Sequence, residues 1–496
     1  MAIVAGYCSA MQQREVWMLA GIVGVAAAAR FATLDLQSFH HDEAVTANRV
    51  IASSLFDTLD HVAEGERSPP LYYVLAWAWA KLFGTAEVGL RSLSALIGTL
   101  TVPAAYLAGR ELASRRIGLF ASVFVALNPY LIWYSQEARS YALMVLLTTL
   151  GLAFFARALR DRSPSSLALW AAASALAVCS HYFAAFLVAP QALWLLWAAR
   201  PERGRALLGV AAVAAVGLAL VPLALGQEGD DRRNAFADVS LATRAGEVAL
   251  DYVASEEPGP LAADSRIDAL QIGAAAAGGA LFLVALWLIV RRGLPDEQRA
   301  ATIAAAVAGS AIAVPFALAI IGLDFANPRN MIGGLVPILV VGAIGFGGGR
   351  AGRVGTIGAV AICLLFLAVH GAVIASAQMQ RPDWREAAEA IGESDEVRVI
   401  VTNANGDEPL KYYLGARILD NRRYRSGVRT REIDTLSTSF RTRRPAGFRL
   451  SDEQGLAPLF ILRRYTAPRR LRVRHEDVAG RRVLYERSVV LVDPPR

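Results

Sequence analysis

Three observations on the 496-residue chain predict a polytopic α-helical membrane protein with a small soluble α/β domain at its C-terminal end. Charged residues make up 19% of the chain and hydrophobic residues 55%, with a mean hydropathy of +0.39; soluble domains ordinarily give about a quarter of their residues to charge. The deficit lies in residues 1–380, where apolar runs alternate with short arginine-bearing breaks. Residues 381–496 read as an ordinary polar domain, and their 24 Lys+Arg against 17 Asp+Glu account for the whole net charge of +7. Together these exclude a soluble globular enzyme, a disordered chain and a coiled coil.

A membrane helix needs about 20 mostly apolar residues. The runs that qualify are 16–34, 86–109, 116–134, 139–157, 165–181, 182–199, 205–226, 267–290, 299–322, 330–348 and 354–377, eleven in all. The first continues to Leu34 without a small-residue cleavage site, so it reads as a span and not as a signal peptide. The stretch Pro70–Gly84 has about a dozen apolar residues, too few to cross, and reads as a helix lying on the membrane surface.

Arginine placement sets the orientation. The breaks Arg110–Arg116, Arg157–Arg162, Arg200–Arg205, Arg291–Arg299 and Arg350–Arg353 carry at least two arginines each and are expected inside. Breaks 35–85, 135–138, the point near His181, 227–266 and 323–329 are richer in acids, aromatics and amides and are expected outside. The N-terminus is then cytoplasmic, and an odd number of spans places residues 381–496 outside, in the cell (inner) membrane's extracytoplasmic space. That topology argues against nucleic acid as a partner of the arginine-rich tail; the bilayer is the partner the composition calls for. Cys8, Cys179 and Cys363 lie far apart and form no ligand spacing. The glycine-rich stretch Gly345–Gly349 lacks the lysine and strand of a phosphate loop.

The chemistry-bearing residues gather on the expected outer face. Phe39-His40-His41-Asp42-Glu43-Ala44 follows the first span, and acids there also suit the first turn of a helix. Ser68-Pro69-Pro70-Leu71-Tyr72-Tyr73 precedes the surface helix, and Phe83-Gly84-x-x-Glu87-x-x-x-Arg91 enters the second span. Tyr134-Ser135-Gln136-Glu137-Ala138-Arg139-Ser140-Tyr141 forms the third patch.

In this order the motifs resemble glycosyltransferase family 39, the protein-mannosyltransferase and aminoarabinose-transferase-like branch of the GT-C superfamily. The likeness is dense over residues 35–145 and thins to Pro328-Arg329-Asn330 and Arg381-Pro382-Asp383-Trp384-Arg385. The chain departs from the pattern at Ser68, often histidine or lysine in relatives, and at Asn330, commonly tyrosine. The resemblance implies a GT-C-like transmembrane domain over 1–380, with juxtamembrane helices in loop 35–85, and a separate domain over 381–496. It implies inverting transfer of a mannose-like or pentose sugar from a polyprenyl-phosphate carrier to a lipid, polysaccharide or protein acceptor.

Such a reaction needs a carboxylate to take the acceptor's proton and fixed positive charge where the leaving phosphate develops. Asp42 is the expected base, partial desolvation beside the bilayer raising its pKa while the helix dipole opposes that shift and keeps it ionised near neutral pH, with Glu43 orienting it or the sugar. Arg329, then Arg139, are the expected phosphate ligands. Arg91 enters a span, where an unpaired charge is costly, and should pair with Glu87 or Glu43. Glu137 is either the partner of Arg139 or a catalytic helper. His41, Tyr72 and His181 are further candidates for contacting substrate. No compact metal-ligand cluster stands in the sequence and no metal is assigned, although a divalent ion would be chemically compatible. The competing classes are a transporter or lipid flippase, for which Val314-Pro315 and Val336-Pro337 would supply broken helices, and a non-catalytic scaffold.

Overall fold

A computed structural model describes residues 2–198, 203–227, 239–255, 265–403, 405–415, 419–420, 427–437, 444–456, 460–478 and 488–493. Every predicted apolar run falls on helix. By length and composition seven of these helices suffice to cross a bilayer, or eight with one bent pair, among the described residues. The first helix, Ala2–Phe31, is diluted by Arg14, Glu15 and Arg30, and Pro164–Ser180 and Ala185–Ala198 are shorter. Much of the expected break 227–266 lies outside the described residues, as does part of Arg200–Arg205.

The run 116–134 is not one straight helix. It divides into Arg115–Leu127 and Pro129–Ser135, bent by 62°. Pro129 has no N–H to continue the ladder, and Asn128 turns extended and caps the new helix by accepting from Leu131 N at 3.0 Å. The bend leaves carbonyls of the preceding turn without helical donors. Arg30, fully buried, donates to Val125 O at 3.1 Å and Ala126 O at 3.0 Å. An arginine that composition alone would mark as a cost in a span thus satisfies backbone that would otherwise be stranded. Pro315, by contrast, sits inside an unbroken helix, Pro295–Ile320, and Pro337 falls in the first turn of Leu335–Gly347. The broken-helix signature of a transporter is not borne out at Pro315.

Residues 35–85 form short helices, none long enough to cross a bilayer. His41–Val45 is a single helical turn continued as Thr46–Val50, followed by the helices Leu55–Gly65 and Leu71–Phe83. The last spans 13 residues, about 20 Å at 1.5 Å per residue against the ~30 Å hydrocarbon core. It packs on Glu87–Leu112 through Tyr72 Oη and Ser94 Oγ at 3.0 Å and Trp79 Nε1 donating to Ser92 Oγ at 2.9 Å.

Among its described residues the C-terminal domain holds a six-stranded mixed sheet. Its strands are β1 (Arg398–Asn403), β2 (Leu419–Asp420), β3 (Val428–Ser437), β4 (Arg449–Leu456), β5 (Phe460–Val473) and β6 (Ser488–Asp493), in the order β2-β6-β1-β3-β5-β4. Only β1 and β3 pair in parallel. Helix Trp384–Ile391, amphipathic as its sequence suggests, seats Trp384 and Ile391 on the sheet beside Phe460 and Ile400. The β-branched run Val399-Ile400-Val401-Thr402 lies in β1, the apolar run Phe460-Ile461-Leu462 opens the much longer β5, and Val489-Val490-Leu491-Val492 lies in β6. β3 and β4 escaped the sequence reading because charged residues interrupt their apolar alternation.

Candidate active site

The site is built where the loop after the first helix meets the ends of Glu87–Leu112, Tyr141–Asp161 and the turn Pro328–Gly334. Glu43 is its fixed centre. Fully buried, it accepts from Arg91 Nε and Nη2 at 2.7 Å each, from Ala138 N at 3.0 Å, and from Arg381 Nη1 and His40 N at 3.2 Å each. Burial pushes the Glu43 carboxyl up, yet the Arg91 charge and hydrogen bonds, with Arg381 behind them, leave it well below the usual glutamate range. Arg91 spends its remaining donors on Leu34 O, Gln37 O and Ser38 O at 2.6–2.9 Å. The expected Arg91–Glu43 pair is therefore present. The polar atoms of both side chains are committed to these contacts. They lock the loop that presents Asp42.

Asp42, the next residue, is different. Its Oδ2 lies 2.9 Å from Arg329 Nη1, and the two side chains retain 16% and 32% exposure. Burial pushes its carboxyl up, as expected from its place beside the bilayer. The Arg329 and Arg139 guanidiniums more than offset that, so the carboxyl lies well below the ordinary range. The sequence reading weighed desolvation against the helix dipole and left out the cations that the fold brings in, which decide the direction. His40 is pushed down to about 3 by burial and by Arg381, and is a neutral imidazole.

Arg139 is 11% exposed and pairs with Glu66 at 2.6 Å, which also accepts from Tyr73 Oη at 2.7 Å. Glu137 is not its partner. Glu137 binds Arg381 at 2.5 Å, and the Arg381 guanidinium lies 4.7 Å from the Trp133 ring centre. Tyr72 is fully buried with its hydroxyl 3.0 Å from Ser94 Oγ. His181 is buried, its Nδ1 accepting from Phe183 N at 3.3 Å and its ring 5.4 Å from Tyr141. His41 sits at the Asp42 turn, with Nδ1 3.3 Å from Asp407.

Sequence reading missed Arg381 and Glu66. Arg381 carried a signal: it begins the last motif just past an apolar run, where a buried guanidinium requires carboxylate partners. Glu66 carried none beyond being one more loop acid. Among the described residues no three His, Cys, Asp or Glu side chains gather as a metal-binding set.

Residues 67–225 match a family model described as dolichyl-phosphate-mannose-protein mannosyltransferase. The resemblance read from the motifs stands. With it stands the membrane glycosyltransferase class, and the fold agrees over most of the chain. The structure is similar to that of ArnT from Cupriavidus metallidurans, in its apo state (TM-score 0.55) and bound to undecaprenyl phosphate (TM-score 0.53). Each match has 14% identity and covers 89% of this chain and 97% of that one. A search of curated proteins returns no match.

Proposed function

We propose that this glycosyltransferase moves a sugar from a polyprenyl-phosphate carrier to an acceptor hydroxyl, with inversion, using Asp42 as general base and Arg329 as the cation for the leaving phosphate. The observation that carries the reading is the Asp42–Arg329 pair. In it a carboxylate and a guanidinium meet at the edge of the buried Glu43 network while both keep access to solvent. Arg139, more enclosed and already matched by Glu66, ranks behind Arg329 for the phosphate.

In this scheme the acceptor O–H gives its proton to an Asp42 carboxylate oxygen while the hydroxyl oxygen forms a bond to the anomeric carbon. The bond from that carbon to the phosphate oxygen breaks on the opposite side, and its electron pair leaves with the polyprenyl phosphate. Arg329 neutralises the charge that develops there. Without donor, Arg329 holds Asp42 ionised but inert. When Arg329 turns toward the phosphate, Asp42 loses its strongest counter-charge, and burial then strengthens it as a proton acceptor. Donor binding thereby arms the base. Undecaprenyl phosphate on the similarly folded ArnT supports a polyprenyl carrier. The scheme further takes eleven spans, a cytoplasmic N-terminus and an extracytoplasmic site, as the arginine asymmetry supports.

The test is the purified full chain in detergent or nanodiscs with a panel of polyprenyl-phosphate sugars. Release of polyprenyl phosphate with loss of the sugar, by transfer or slow hydrolysis, is the expected result. Transmembrane movement of an intact carrier without cleavage would replace the reading with that of a flippase.

A further inference from the structure

The loop that presents Asp42 is held from two sides, and only one belongs to the membrane domain. On that side are Arg91 and the main chain of Ala138. On the other lies the helix Asp407–Leu414 of the C-terminal domain. Tyr413 Oη accepts from Phe39 N at 2.7 Å and donates to Glu87. The Tyr412 ring meets the Phe39 ring edge-on with centroids 5.0 Å apart. Asn48 donates to Glu408 O at 2.9 Å, and Arg49 pairs with the Glu408 carboxylate, itself buried. Beside Asp42, His41 Nδ1 lies 3.3 Å from Asp407 Oδ1 in an ion-pair contact, and both atoms are buried without a hydrogen bond of good geometry among the described residues.

These contacts fall on Phe39, His41, Asn48 and Arg49, so they bracket Asp42 along the chain. The turn they fix is only five residues long and runs directly into an irregular turn with wider hydrogen-bond spacing. A helix that short has little stability of its own, because nucleation is unfavourable and tertiary packing must hold it. Phe39 and Ala44 join Leu90 and Ala138 in a small apolar cluster against which Tyr412 and Tyr413 pack. Removing the domain would open that cluster and free both ends of the turn.

We propose that the C-terminal domain is a positioning element of the active site: helix Asp407–Leu414 clamps the Asp42 turn, through Tyr413 on Phe39 and Asp407 on His41. The inference rests on the reading of Asp42 as base. Asp407 and Tyr413 act through the loop and need touch neither sugar nor phosphate. The consequence is a loss of orientation at the base, and a misplacement of about 1 Å costs on the order of a hundredfold in rate.

The test uses the full chain carrying Tyr413→Phe or Asp407→Asn, with Asp407→Glu as the conservative control. Three quantities are read: kcat and donor KM, the thermal midpoint, and hydrogen exchange of the amides over residues 39–50. The clamp predicts kcat lower by about 10- to 100-fold, donor KM within twofold, an unchanged midpoint and faster exchange confined to the loop. Asp407→Glu should recover most of the rate. Folded variants with wild-type kcat and unchanged exchange would overturn the proposal. So would a rate loss matched by an equal loss of folded protein without faster exchange in the folded fraction. If the wild-type chain cleaves no donor, the enzymatic reading fails, and the exchange measurement still decides whether the domain holds the loop.

Discussion

Replacing Arg329 by glutamine should separate two roles that the structure gives one guanidinium. In the donor-free chain it sits 2.9 Å from Asp42. With charge centres about 4 Å apart, an effective dielectric of ~20 gives ~4 kcal/mol of attraction; the third of Arg329 left exposed brings this toward the ~1 kcal/mol of surface pairs. During transfer the same group meets the phosphate leaving charge, where loss of one preorganised donor costs about 2.7–4 kcal/mol, a hundred- to thousandfold in kcat. The transition-state term is the larger of the two, so Arg329→Gln should be slow although its base is freed. The freed base leaves its own signature. Asp42 is lowered in the wild type, so the acid limb of kcat/KM lies below the ordinary carboxylate range. Removing its strongest counter-charge should move that limb to higher pH. Arg329→Lys should recover part of the rate, lacking the fork geometry. The assay is single-turnover release of polyprenyl phosphate across a pH series, with folding checked by thermal scans. Wild-type turnover in folded Arg329→Gln, or an acid limb that stays in place, would refute the reasoning.

Other outcomes follow from the same network. Arg91→Met leaves Glu43 buried beside Arg381 alone and should cost about 3–5 kcal/mol of stability, read as a lower unfolding midpoint at fixed scan rate; an unchanged midpoint would show that the loop is held elsewhere. Asp42 and Glu43 have lowered carboxyls, so their contribution to stability is full above the ordinary carboxylate range and is lost as pH falls through their folded values. Acid titration of the midpoint should show this loss below about pH 4, and weaker loss in Glu43→Gln. A reporter fused after Arg496 should be active outside the cytoplasm; activity only inside would reverse the topology.

The fold was largely readable because the hydrocarbon thickness dictates it. Runs of about 20 apolar residues have few alternatives to helix, and within Pro70–Gly84 the chain forms a 13-residue helix, too short to cross, as its length indicated. The bend at Asn128–Pro129 was not read, since proline in an apolar run is often tolerated, as at Pro315. In the site, residue chemistry singled out Asp42 and Arg329, which the fold brings together, and the cost of a charge in a span called for Glu87 or Glu43 beside Arg91, of which Glu43 is the partner. Sequence distance hid the rest. Asp42 and Arg329 are 287 residues apart, and Glu43 and Arg381 are 338 apart. No local pattern assigns Glu66 to Arg139, or Arg381 to Glu137, because all four stand in polar surroundings that allow several pairings. The lowered pKa of Asp42 follows from cations that only the folded chain assembles.

The most direct test of the account compares Asp42→Asn with Glu43→Gln, measuring donor affinity and single-turnover transfer on the same folded preparations. Asp42→Asn preserves shape and removes the proton acceptor. Donor binding should survive while transfer falls by about a hundred- to ten-thousandfold. Glu43→Gln should act mainly on stability, with a smaller loss of rate per folded molecule. Near-normal transfer by Asp42→Asn with a dead but folded Glu43→Gln would make Glu43 the base, and normal turnover by both would contradict the mechanism outright.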